Sequence, residues 1–131
     1  MRVLADTGPL YALVDPDDRL HERARGDAGR IAEQGGTIVV PFPTLLESHS
    51  LVLKRLGTRL ARKWLTELIA GAGLLNPHRD DYLAASLRLR SFGDQSITLC
   101  DAVVATLADQ LRLSVWTFDH HFDVMGTVVW R

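Results

Sequence analysis

The apolar positions of this chain fall into short uncharged runs separated by longer amphipathic stretches. Residues 3–5, 37–40 and 114–118 are uncharged and rich in β-branched or aromatic side chains, which predicts buried strands. Leu74-Leu75 reads as a minimal strand, and 127–130 as a last strand at the edge. Between these runs the apolar residues recur every three or four positions, which predicts helices over 7–14, 18–33, 43–56, 58–70, 79–90 and 98–111. The punctuation agrees. Pro9 sits in a first turn, where its missing N–H does no harm. Asp15-Pro16-Asp17-Asp18, Gly35-Gly36 and Gly57 break or end helices, and 91–96 reads as a loop. Strands that alternate with helices pair in parallel, and uncharged strands are covered on both faces. The expected fold is α/β: a three-layer α/β/α sandwich around a short, mostly parallel sheet. At 131 residues it makes one domain, 1–131.

Composition narrows the function classes. Hydrophobic residues at 47% and charged residues at 24% exclude a disordered chain, a coiled coil and a collagen-like repeat. A single cysteine, Cys100, excludes a disulfide framework and a cysteine-based zinc site. Fifteen Lys and Arg against 16 Asp and Glu give a net charge of −1. A polyanionic partner must therefore be held by a local basic patch or through a metal. No stretch approaches the roughly 18 apolar residues of a membrane span, and the start does not read as a signal peptide. The expectation is a cytoplasmic protein without a membrane partner.

The placement of four acids carries the chemistry. Asp6 is the only charged residue in 3–14, Glu47 the only one in 34–53 and Asp101 the only one in 95–108. Asp119 ends the uncharged run 113–118. Each stands alone where the sequence otherwise reads as core. A buried carboxylate without a cation is costly, and its pKa rises. Asp6 and Asp119 lie just past strand ends, where a parallel sheet can bring them together; ligands gather at such ends near the point where strand order reverses. Glu47 and Asp101 lie early in helices. Four carboxylates at one point repel one another, and a hard divalent cation removes that repulsion. Plain structural alternatives exist: Asp6 as a helix cap, Asp101 in a capping arrangement with Thr98, Asp119 as a turn residue. Glu47, on a leucine-lined helix, has none of these and is expected to be buried.

Other residues read more plainly. His120-His121 fits a surface turn, since adjacent side chains seldom ligate one ion. Cys100 reads as a small buried thiol and Trp64, Trp116 and Trp130 as core or interface. There is no glycine-rich phosphate loop. Lys54, Arg55, Arg59, Arg62 and Lys63 fall within ten residues that hold no acid. They form either a solvated helical face or a phosphate-tracking patch beside the carboxylates.

Taken together, Val3-Leu4-Ala5-Asp6-Thr7, Pro43-Thr44-Leu45-Leu46-Glu47, Ser96-Ile97-Thr98-Leu99-Cys100-Asp101-Ala102 and Trp116-Thr117-Phe118-Asp119 resemble the PIN domain family, and within it the VapC-type toxins. The resemblance spans nearly the whole chain. It implies a PIN-like sandwich and a Mg²⁺- or Mn²⁺-dependent endoribonuclease, the toxin of a toxin–antitoxin pair. It further implies an RNA substrate, a cognate VapB-type antitoxin and a homodimer. By the same resemblance Asp6, Glu47, Asp101 and Asp119 are the catalytic and metal-binding positions, supported by Thr7, Thr98 and Thr117. Many relatives carry a second acid soon after the position of Asp119, where this chain has His120-His121-Phe122. That leaves open one metal ion or two. On the residues alone, a phosphatase- or receiver-like phosphotransfer domain and a non-catalytic binding module of the same fold stay as alternatives.

Overall fold

The computed structural model describes residues 1–131. Its sheet has four strands, β1 (Arg2–Ala5), β2 (Thr37–Pro41), β3 (Gly73–Leu75) and β4 (Ser114–Trp116), in the order β3-β2-β1-β4 and parallel throughout. Seven helices connect and cover them: α1 (Thr7–Val14), α2 (His21–Glu33), α3 (Phe42–Leu56), α4 (Thr58–Gly71), α5 (Arg79–Leu89), α6 (Leu99–Leu111) and the short α7 (His121–Val124).

Side chains alternate across a strand, so each strand feeds two cores. Val3, Ala5, Val40 and Trp116 point into one core, with residues of α1 to α4 such as Leu10, Ile31, Leu45 and Trp64. Leu4, Val39 and Val115 point into the other, built from α5 to α7 by residues such as Ala85, Val103 and Phe122. That is the expected three-layer sandwich. The chain builds outward from β1 to β3 and then returns to lay β4 on the far side of β1. Strand order reverses between β1 and β4, so the carboxyl ends of these two strands flank the crevice.

Several boundaries differ from the sequence expectation. α2 starts at His21 rather than at 18, because the Asp18 carboxylate accepts the Leu20 N–H at 2.8 Å and so forms a turn there. β4 stops at Trp116. The predicted last strand over 127–130 does not form; it makes a single parallel bridge between Val115 and Val129. The predicted loop over 91–96 opens with a 3₁₀ turn at Arg90–Phe92. Gly57, at φ 94°, turns the chain sharply between α3 and α4 in a conformation that disfavours side chains. No helix is long and apolar enough to cross a membrane.

Candidate active site

The four singled-out acids line one pocket with Thr7, Gly8, Thr98, Phe118 and His120. Asp6 is the first residue past β1, and its N–H continues the ladder by donating to the Trp116 carbonyl at 2.9 Å. Its side chain does not cap α1. It accepts the Thr117 hydroxyl at 2.7 Å instead. That hydroxyl also accepts the Asp119 N–H at 2.9 Å, so one oxygen ties both strand-end acids into a single unit. Asp101 sits in the first turn of α6, where Thr98 as N-cap accepts its N–H at 3.1 Å. Asp101 is thus in the capping arrangement and in the pocket at once. Glu47 reaches the pocket from α3, whose start is pinned to the sheet by the buried Thr44 hydroxyl donating to the Ala5 carbonyl at 2.9 Å.

Burial grades across the four. Asp6 and Asp101 are buried, Asp119 is half-buried, and Glu47 is exposed on the rim. The expectation of a buried Glu47 is therefore wrong: α3 turns its Thr44, Ser48 and Val52 face inward and leaves Leu46, Glu47 and Ser50 facing solvent. Burial is the main reason the Asp6 carboxyl is pushed up to about 7, reinforced by the negative charges of Asp101 and Asp119 and opposed by the Thr117 hydroxyl. Burial likewise pushes Asp101 up, with Asp119 next in effect. The Cys100 thiol, half-buried and facing Glu47, Asp6 and Asp101, is held protonated far above its ordinary value. It is no nucleophile.

The remaining buried acids show what a structural carboxylate looks like here. Asp27 accepts the Trp116 indole N–H at 3.1 Å and pairs with Arg30 at 2.7 Å. Asp81 accepts the His78 N–H in a capping box. The four pocket acids, by contrast, have no Lys or Arg within 4.0 Å. The buried Thr7 hydroxyl that lines the same pocket has no partner in the protein either. Two buried carboxylates, two more at the opening and an unpaired hydroxyl form an all-oxygen donor set that fits a hard divalent cation.

The histidines sit in the turn the sequence suggests, and the fold adds a proximity to Asp119 that the sequence does not show. The turn is there, with the His121 N–H donating to Asp119 Oδ1 at 2.9 Å. The same turn folds the Asp119, His120 and His121 side chains together, so that one potential ligand atom from each lies within 4.8 Å of the others. His120 lines the pocket. Phe118 and Gly8 were also missed; nothing in their sequence context marks them. Lys54, Arg55, Arg59, Arg62 and Lys63 do not line the pocket. They surround the α3–α4 corner, all exposed, with Arg55 over the Tyr11 ring at 5.1 Å and Lys63 within 3.9 Å of Glu67.

Comparison with known proteins adds to this geometry. A family model described as PIN domain matches residues 3–127. No curated protein sequence matches the chain. Among solved structures, the chain is similar to VapC20 of Mycobacterium tuberculosis, a toxin that cleaves the sarcin–ricin loop, at 20% identity and a TM-score of 0.85, covering 98% of each chain. It is similar to VapBC2 from Rickettsia felis bound to a promoter DNA fragment, at 12% identity and a TM-score of 0.78, covering 100% of this chain and 98% of that one. It is also similar to VapBC-1 from nontypeable Haemophilus influenzae, at 16% identity and a TM-score of 0.73, covering 100% and 97%. At such identities these likenesses establish the fold.

Proposed function

The chain belongs to the PIN domain family, and on that premise we propose that it is a divalent-metal-dependent endoribonuclease that hydrolyses RNA phosphodiester bonds, the toxin of a toxin–antitoxin pair acting in the cytoplasm. The observation that carries this reading is the pocket itself: Asp6, Glu47, Asp101 and Asp119 line it together, and no lysine or arginine lines it with them. The RNA-cleaving and antitoxin-paired structures of the same fold support the substrate class and the partner.

Asp6 and Asp101 would hold Mg²⁺ or Mn²⁺ directly, with Glu47 and Asp119 acting at the opening. A bound divalent ion supplies a Lewis acid toward a phosphoryl oxygen and lowers the pKa of water. The protein's part is orientation. The Thr117 hydroxyl fixes one oxygen of Asp6 and so holds the carboxylate at the pocket. Thr98 fixes the backbone that carries Asp101. Glu47, exposed on the rim of the pocket, would orient an attacking water and take its proton. Water as nucleophile gives products with 3′-hydroxyl and 5′-phosphate ends. A phosphotransfer role would need a cation beside the reacting carboxylate, and no lysine or arginine lines the pocket.

The antitoxin's seat on this reading is the largest cavity, an apolar groove of about 780 Å³ lined by α1, α2 and α4 over β2 and β3, with Leu13, Ile38, Leu68 and Leu74 among its walls. Homodimerisation would use the exposed leucines of α3 (Leu46, Leu53) and α5 (Leu83, Leu87). The deciding experiment incubates purified protein with mixed cellular RNA in Mg²⁺, in Mn²⁺ and in EDTA, and maps the new ends. Cleavage that persists in EDTA, or that survives Asp101→Asn at full rate, refutes the proposal. So does intact RNA in both metals, which would leave a binding module.

A further inference from the structure

We propose that Arg23, seated on the Phe118 ring, is a subsite for the phosphate of the nucleotide next to the one at the acid pocket; this rests on the nuclease reading above. RNA brings a negative charge with every nucleotide to a pocket that is itself acidic and contains no basic lining residue except His120. A cation next to the acids, though not among them, is what such a chain requires. Arg23 meets that description. It lies in the first turn of α2, exposed, with its guanidinium 4.4 Å from the centre of the Phe118 ring. Phe118, Asp119 and His120 line the acid pocket and also an adjoining depression of about 170 Å³ that includes Arg23. One wall thus separates the two.

The neighbouring arginines are already committed. Arg25 pairs with Glu22 and Arg30 with Asp27 on the same helix, while Arg131, in the same depression, pairs with Asp123 at 2.8 Å. Arg23 has no carboxylate within 4.0 Å. The ring beneath holds its planar head in place and leaves N–H donors at the edge, in the fork geometry that suits phosphate oxygens. The exposed cluster at the α3–α4 corner has no such shared wall with the acids.

The test compares wild type, Arg23→Ala, Arg23→Lys and Arg25→Ala. Binding of a fluorescein-labelled oligouridylate is followed by anisotropy in EDTA over a salt series, and cleavage of the same oligomer is followed in Mg²⁺. Arg23→Ala should weaken binding about fivefold to tenfold and flatten the log–log salt slope by about 0.7. Its KM should rise by a similar factor with kcat within about twofold. Arg23→Lys should recover the slope and part of the affinity, and Arg25→Ala should match wild type. Wild-type affinity and slope in Arg23→Ala overturn the subsite, as does an equal loss in Arg25→Ala. If wild type cuts neither this oligomer nor mixed cellular RNA in Mg²⁺ or Mn²⁺ but Arg23→Ala still loses affinity and slope, the phosphate contact stands and the nuclease reading falls. If wild type cuts and Arg23→Ala is indistinguishable from it, the reverse holds.

Discussion

Replacing Asp6 by Asn should remove cleavage and at the same time make the metal-free protein more stable above neutral pH. The folded protein holds the Asp6 proton up to about pH 7, against an ordinary value of 3.8. Between those two values the folded state binds a proton that the unfolded state has released. Stability contributed by this group is therefore complete at low pH and is lost as pH rises toward 7. A gap of about three pH units, at about 1.36 kcal/mol each, corresponds to at most about 4 kcal/mol of strain in the ionised, metal-free site. Asn has nearly the same shape, can accept the Thr117 hydroxyl through its amide oxygen, and does not titrate. At pH 5, a little more than one unit above the ordinary value, the variant should already lead by about 1.6 kcal/mol, less than half of the full gap. By pH 8 in EDTA the variant should melt higher, by roughly 5–15 °C at about 4 °C per kcal/mol for a domain of this size. Saturating Mg²⁺ should raise the wild-type melting temperature and close the gap, since a ligand at a hundred times its Kd adds about 2.7 kcal/mol; the variant should respond much less. Scanning calorimetry from pH 5 to 8, with EDTA and with Mg²⁺, makes all of these comparisons. A wild-type melting temperature that is flat across that range, or an Asp6→Asn variant no more stable than wild type at pH 8, refutes the electrostatic account of the site.

Other outcomes follow from the same geometry. Thr117→Val removes the hydroxyl shared by Asp6 and Asp119; cleavage should fall about tenfold to a hundredfold, a loss typical of a ligand's supporting partner, in single-turnover assays at saturating metal. Asp27→Ala strips the buried partner from the Trp116 indole and from Arg30; urea unfolding should show a loss of about 2–4 kcal/mol, while the protein that remains folded should keep its metal response. Burial and three facing acids keep the Cys100 thiol protonated; it should resist alkylation at pH 8 in the native state and react promptly in urea, and fast native labelling would show that the pocket opens.

The layers of the fold were legible because their physics is local. Uncharged runs such as 37–40 and the leucine rhythm of α4 specify strand and helix without reference to the rest of the chain. The convergence of the acids was legible for a related reason: a lone carboxylate in Val3-Leu4-Ala5-Asp6 or Thr98-Leu99-Cys100-Asp101 conflicts with its surroundings, and such conflicts mark function. What failed depends on orientation. Glu47 lies on the solvent side of a helix whose inward face is Thr44, Ser48 and Val52; a run without charges does not say which side faces the core. The edge strand over 127–130 is reduced to one bridge: β4 is only three residues long, and both of the backbone bonds made there fall on Val115. Phe118 and Arg23 meet across a gap of 95 positions in sequence, and nothing local announces such a pair.

The return of β4 to the side of β1 has a consequence for how the protein is made. Asp6 is synthesised more than a hundred residues ahead of its hydroxyl partner Thr117 and its neighbour Asp119. Throughout that interval the nascent chain lacks the strand that completes the crevice. A chain that ends before Ser114 carries Asp6, Glu47 and Asp101 but lacks Asp119 and the Thr117 hydroxyl that orients Asp6, so the pocket is complete only once the final strand has been added.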